Sequence, residues 1–105
     1  MSDSIVDLES GEQLTTIIEE NDPVLLDFNA EWCGPCKQMH PVMETLADET
    51  DATVVSVDID DHTDIANKYQ VRSVPTFIII SDGDFQERVT GVQNESKLRK
   101  LVTKY

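Results

Sequence analysis

The run Val24-Leu25-Leu26-Asp27-Phe28 constrains this chain most. It is short and apolar apart from one carboxylate, and Asn21-Asp22-Pro23 closes off the segment before it. A run of this kind marks a strand covered on both faces, as in sheets that carry helices on each side. The residues that follow agree. Met39, Val42, Met43, Leu46 and Ala47 recur at helical spacing to about Glu49, and Thr53 to Ile59 carries Val54, Val55 and Val57 of another strand. Strand, crossover helix and strand make a right-handed βαβ unit. Pro41 falls inside the helix, where it removes a hydrogen bond and is expected to kink the axis.

The remaining segments extend the same pattern. Ile5 to Leu8 reads as a short first strand. Ser10 and Gln13 have capping-box spacing, and Leu14, Ile17 and Ile18 follow at helical intervals to about Glu20. A short helix is expected around Asp64 to Tyr69, then Pro75 and a strand from Thr76 to Ser81. Asp82-Gly83 is a hairpin signal with Phe85 to Thr90 as partner strand. Asn94 or Ser96 caps a last helix with Leu98, Leu101 and Val102 inward and Lys97, Arg99 and Lys100 outward, cations that suit a helix C-terminus. No repeat, low-complexity stretch or linker marks a boundary. Residues 1–105 therefore read as one α/β domain, a central sheet with helices on both faces.

Eight Lys and Arg stand against 21 Asp and Glu, a net charge of −13. Nucleic acid and anionic membrane both require a basic footprint, so this surface excludes them as partners. No segment approaches the ~18 apolar residues of a membrane span. Met1-Ser2-Asp3-Ser4 has neither the basic nor the apolar part of a secretory leader, so a cytoplasmic protein is expected. The acids are spread along the chain apart from clusters such as Asp58 to Asp61. A solvated acidic face is the simple reading. A halophilic protein is the sharper one, because molar salt shortens the Debye length to about 3 Å and screens the self-repulsion.

The only cysteines are Cys33 and Cys36. A crosslink that close closes almost no loop, so its structural worth is small, and intracellular thiols are kept reduced. The pair calls for a chemical role. It lies between a buried strand and a long helix, at the strand end where α/β sheets place their sites. At a helix start, residues three apart share a face with β-carbons about 5–6 Å apart, whereas a relaxed disulfide wants about 3.5–4.5 Å. The bond closes only if the first turn tightens, which makes it reducible. Free N–H groups at the helix start favour thiolate over thiol, and Lys37 adds a cation. Pro35 is tolerated in a first turn and stiffens it. Zinc needs four ligands, and His40 and His62 do not fit finger spacing. Haem attachment needs His where Lys37 stands. No metal or other cofactor is expected, and the cysteine pair itself is the redox group.

The segment Asp27-Phe28-Asn29-Ala30-Glu31-Trp32-Cys33-Gly34-Pro35-Cys36-Lys37 resembles the active-site segment of thioredoxins. Pro41, Val74-Pro75-Thr76, the Asp82-Gly83 turn and Gly91 extend the likeness along nearly the whole chain. The resemblance implies a thioredoxin fold, with a mixed five-stranded sheet flanked by four helices. It also implies a monomer that reduces disulfides in target proteins and is recycled by thioredoxin reductase. Cys33 would be the nucleophile, Cys36 the resolving thiol and Asp27 its buried proton acceptor. Pro75 would be the family's cis-proline beside the disulfide. Trp32, Gly34, Pro35, Val74, Pro75 and Gly91 would form the substrate surface. The chain departs from many bacterial members at two positions. Asn29 replaces an aromatic residue. Ser56 replaces a buried lysine near the carboxylate, and losing that opposite charge should leave Asp27 titrating nearer neutrality.

Simpler roles exist for several of these residues. Asp27 could be a satisfied polar group, although burying a carboxylate among Leu25, Leu26 and Phe28 is costly. Pro75 could merely open a strand, Trp32 could be core, Val74 strand packing, and Gly91 a bend. Two further function classes fit the same sequence: a binding module that clamps a partner as an assembly subunit, and a dimer bridged by metal through the cysteines.

Overall fold

Val24–Asn29 forms the middle strand of a five-stranded sheet in a computed structural model, which describes residues 4–105. Met1–Asp3, most of the stretch in which no leader is expected, lie outside the described residues. The elements in chain order are β1 (Ile5–Asp7), α1 (Gly11–Glu20), β2 (Val24–Asn29), α2 (Gly34–Glu49), β3 (Thr53–Asp58), α3 (Thr63–Lys68), β4 (Thr76–Ser81), β5 (Asp84–Thr90) and α4 (Glu95–Lys104). The sheet order is β1-β3-β2-β4-β5, with β1, β3 and β2 parallel and β4 and β5 antiparallel to their neighbours. This is the mixed sheet with four helices that the resemblance implies.

The alternation of side chains along β2 divides the interior. Val24, Leu26 and Phe28 pack with Leu14, Val55, Val57, Ile65, Ile78 and Ile80 on the face covered by α1 and α3. Leu25 points the other way, to Met39, Met43 and Leu46 of α2, Val54, Phe77 and Ile79 of the sheet, and Leu98 and Val102 of α4. Asp27 shares the parity of Leu25, so its carboxyl lies on the α2 side. The two-faced burial expected for β2 holds for β4 as well, whose six residues are all buried.

Local chemistry ends the elements where it is legible, with two refinements. Ser10 Oγ accepts from the Gln13 N–H at 3.1 Å, but Gln13 Oε1 returns to the Glu9 N–H at 2.7 Å, one residue before the cap. Asn94, not Ser96, caps α4: its side chain accepts from the Ser96 N–H at 2.8 Å. The hairpin turn has Asp82 and Gly83 both at positive φ, 55° and 81°, which matches the twist of the flanking strands. Outward-facing Arg99 is held by Glu49 at 2.8 Å and by Glu95 at 3.1 Å. Among the described residues no helix is long and apolar enough to cross a membrane.

Candidate active site

The site grows out of the junction between β2 and α2. After Asn29 the chain leaves the sheet, turns with the Cys33 N–H donating to the Ala30 carbonyl at 3.1 Å, and enters α2 with Cys33 as its N-cap. Gly34 and Pro35 are the first two helical residues, so the missing N–H of Pro35 falls where helices have no internal partner for it. Pro41 lies within the same helix, as expected. Cys33 and Cys36 are joined as a disulfide, with Cα atoms 5.3 Å apart. The Cys36 N–H donates to Cys33 Sγ at 3.1 Å. A donor held at that sulfur, together with the positive end of the α2 dipole, favours the Cys33 thiolate once the pair is reduced.

Both cysteines are buried with Ala30, and Ile59 and Val74 pack against them. Val74 precedes the buried Pro75, and the peptide bond between them is cis. Asp22–Pro23 is cis as well, which the residues alone do not foretell. The Gly91 N–H donates to the Pro75 carbonyl at 2.8 Å, tying the end of β5 to the same corner. At φ 89° Gly91 adopts a conformation that side chains disfavour, although a Cβ there would meet open space. Trp32 is 68% exposed, so it is not core. Its Nε1–H donates to Asp60 Oδ2 at 2.9 Å, which ties the exposed ring to the segment that follows β3.

Asp27 lines the same cleft as Cys36. It is 6% exposed, and its Oδ1 has no hydrogen-bond partner among the described residues. Burial pushes its pKa from 3.8 to about 7, and the Asn29 amide opposes the rise. Asn29 and Ser56, the two departures from the bacterial pattern, bond to each other: Asn29 Nδ2 donates to Ser56 Oγ at 2.8 Å and to the Asp27 carbonyl at 3.0 Å. Asp27, Asn29, Cys36 and Ser56 line one cleft of about 410 Å³.

The sequence-predicted residues thus come together at one corner of the sheet. Asp60 was missed as a site residue. Its acidic run was visible, but its bond to a residue 28 positions away left no trace in the local pattern. His40 and His62 stay outside: His40 is exposed 3.7 Å from Glu44, and His62 Nε2 contacts the Leu8 carbonyl at 2.8 Å. Among the described residues no group of three or more His, Cys, Asp or Glu is arranged to hold a metal ion.

Residues 5–104 match the thioredoxin family model. The chain belongs to the thioredoxin family. A thioredoxin variant from Halobacterium salinarum NRC-1 superposes with a TM-score of 0.95 at 42% identity, covering 98% of this chain and 91% of that one. Thioredoxin from Mycobacterium tuberculosis is 43% identical over 91 residues, 85% of this chain and 78% of its own. The mitochondrial thioredoxin of Mus musculus is 40% identical over 90 residues, 84% of this chain and 54% of its own. The chain therefore spans about half the length of that mitochondrial relative. The disulfide-bonded Cys33–Cys36 pair thus stands at the start of α2 in a chain with the family's sequence and fold.

Proposed function

We propose that residues 1–105 work as one thioredoxin domain that reduces disulfides in target proteins through Cys33 and Cys36. The observation that carries this reading is the cysteine pair at the start of α2, with an N–H directed at Cys33 Sγ and a buried carboxyl in the cleft that Cys36 lines. The Cys33 thiolate attacks one sulfur of the target disulfide. A Cys33–target disulfide forms, and the other target sulfur leaves as a thiolate that takes a proton from water. Cys36 then gives its proton to the Asp27 carboxylate and attacks Cys33 Sγ. The Cys33–target bond breaks, the Cys33–Cys36 disulfide forms, and the second target sulfur leaves as a thiolate that takes a proton from water. Two electrons have passed to the target, and a thioredoxin reductase supplies two more to reduce the Cys33–Cys36 disulfide again. An Asp27 titrating near 7 is partly ionised at neutral pH, as an acceptor from a thiol must be.

Trp32, Gly34, Pro35, Val74, Pro75 and Gly91 form the surface on which the target segment lies. The exposed Trp32 and the packing of Val74 against the cysteines support this assignment. No bound cofactor takes part. The domain acts as a monomer in the cytoplasm of a salt-rich cell, a setting supported by its net charge of −13 and by its likeness to a thioredoxin variant from Halobacterium salinarum.

Trapping tests the assignment of roles. Cys36→Ser should accumulate mixed disulfides with targets, while Cys33→Ser should capture none, and both should lose insulin-disulfide reduction in the presence of dithiothreitol. Capture by Cys36 alone would reverse the roles.

A further inference from the structure

Asn29 and Ser56 stand on neighbouring strands and touch Asp27 from two directions. In the sheet register Asp27 is opposite Ser56 on β3 and opposite Phe77 on β4. Asn29 follows two residues later on the same edge of β2. An amide has two N–H donors and no more. Asn29 gives one to the Asp27 carbonyl and the other to Ser56 Oγ. The amide also acts on the Asp27 carboxyl and lowers its pKa, but its two donors are drawn to these other acceptors, and Asp27 Oδ1, itself buried, has no partner among the described residues. A buried acceptor next to a potential donor that is held away from it is an arrangement that costs free energy unless something maintains it. Here the Ser56 hydroxyl maintains it.

We propose that Asn29 and Ser56 act as one positioning unit for Asp27, a clasp across β2 and β3 that keeps the Asn29 donors off Oδ1 and leaves that oxygen free to take a proton within the cleft. The inference rests on Asp27 being the proton acceptor for Cys36, and it adds what sets that acceptor's proton affinity. Ser56 acts through Asn29, and Asn29 acts through Asp27. The charged and titratable groups lining the same cleft are Asp7 from β1, Glu31 from the loop before α2, and Lys37 and His40 from α2. The neighbours of Asp27 on β3 and β4, Ser56 and Phe77, are uncharged.

The clasp makes a prediction of opposite signs. Removing the Ser56 acceptor in Ser56→Ala frees one Asn29 N–H in a part-buried place, and the vacant acceptor beside it is Asp27 Oδ1. A hydrogen bond to the charged carboxylate lowers its proton affinity by about tenfold. Removing the amide altogether in Asn29→Ala raises the affinity, because the group that opposes the burial effect is gone. The double variant should match Asn29→Ala alone, since Ser56 then has nothing to hold. Ser56→Thr keeps the hydroxyl and should keep the wild-type midpoint.

The measurement is the Asp27 carboxyl ¹³C shift against pH by NMR, in the oxidised protein so that the cysteines do not titrate. The full chain is used at fixed molar KCl. Dispersed spectra of each variant establish that it is folded. A Ser56→Ala midpoint equal to or above wild type overturns the proposal, as does a Ser56→Ala effect of the same size with and without Asn29. The role of Asp27 itself is tested separately, by the rate of target release in Asp27→Asn. An unchanged rate there would remove Asp27 from the reaction while leaving the NMR test of the clasp unaffected.

Discussion

Asp27→Asn should stabilise the oxidised protein, and the gain should depend on pH. Below 3.8 the carboxyl is protonated in folded and unfolded chains alike, so its burial carries no charge. Between 3.8 and about 7 the unfolded chain has lost the proton while the folded one keeps it. The unfolded state then binds fewer protons, and stability falls as pH rises through this window. Above about 7 the full cost of burying the charge is present. A rise of about 3 pH units at about 1.4 kcal/mol each makes that cost roughly 4 kcal/mol. The amide of the variant is nearly isosteric and has no charge to bury, so any penalty for its own donors is independent of pH. Urea unfolding of both proteins at pH 4, 6, 8 and 9 in molar KCl measures the difference. With an m-value of about 2 kcal/mol/M, the variant's midpoint should lie about 2 M above wild type at pH 9. The gap should close progressively toward pH 4 and stay level above pH 8. A gap that is constant with pH, or one that widens toward acid, would refute the placement of an uncompensated carboxyl in the cleft that Cys36 lines.

Two further outcomes follow from the surface and the helix ends. A net charge of −13 makes the folded state self-repelling, so the melting temperature should rise from low salt to molar KCl; a flat response would remove the salt-rich setting from the proposed function. The cap at Asn94 should be worth about 1 kcal/mol, so Asn94→Ala should lower the melting temperature by about 4–8 °C, whereas Ser96→Ala, which keeps the accepting side chain, should change it little. Equal losses in the two variants would show that the α4 cap is assigned to the wrong residue.

Periodicity made most of the fold legible. Val24 to Phe28 announced a buried strand because apolar side chains on both parities require cover on both faces, and β2 is covered in that way. Met39 to Ala47 announced α2 for the same kind of reason. Ends were less secure: the expected strand from Thr53 to Ile59 stops at Asp58, and the expected helix from Asp64 to Tyr69 runs from Thr63 to Lys68. Hydrogen bonds at element ends are shared between regular and loop partners, which local pattern resolves poorly. The Asp82-Gly83 turn was legible because positive φ at both central positions is chemically selective.

The dithiol, its position at a helix start and the cost of the Asp27 carboxylate were determined by the residues themselves. Each follows from covalent spacing or from the desolvation of a single group. Tertiary structure decided the rest of the site. Asp60 reaches Trp32 across 28 residues, and Gly91 reaches Pro75 across 16. Asn29 meets Ser56 only because β2 and β3 are neighbours in the sheet. Hydrogen bonds of this kind depend on which strands are adjacent and in what register, and both are set by packing of the whole domain. The cysteines name the reaction, and the contacts around Asp27 set the proton affinity of the group beside them.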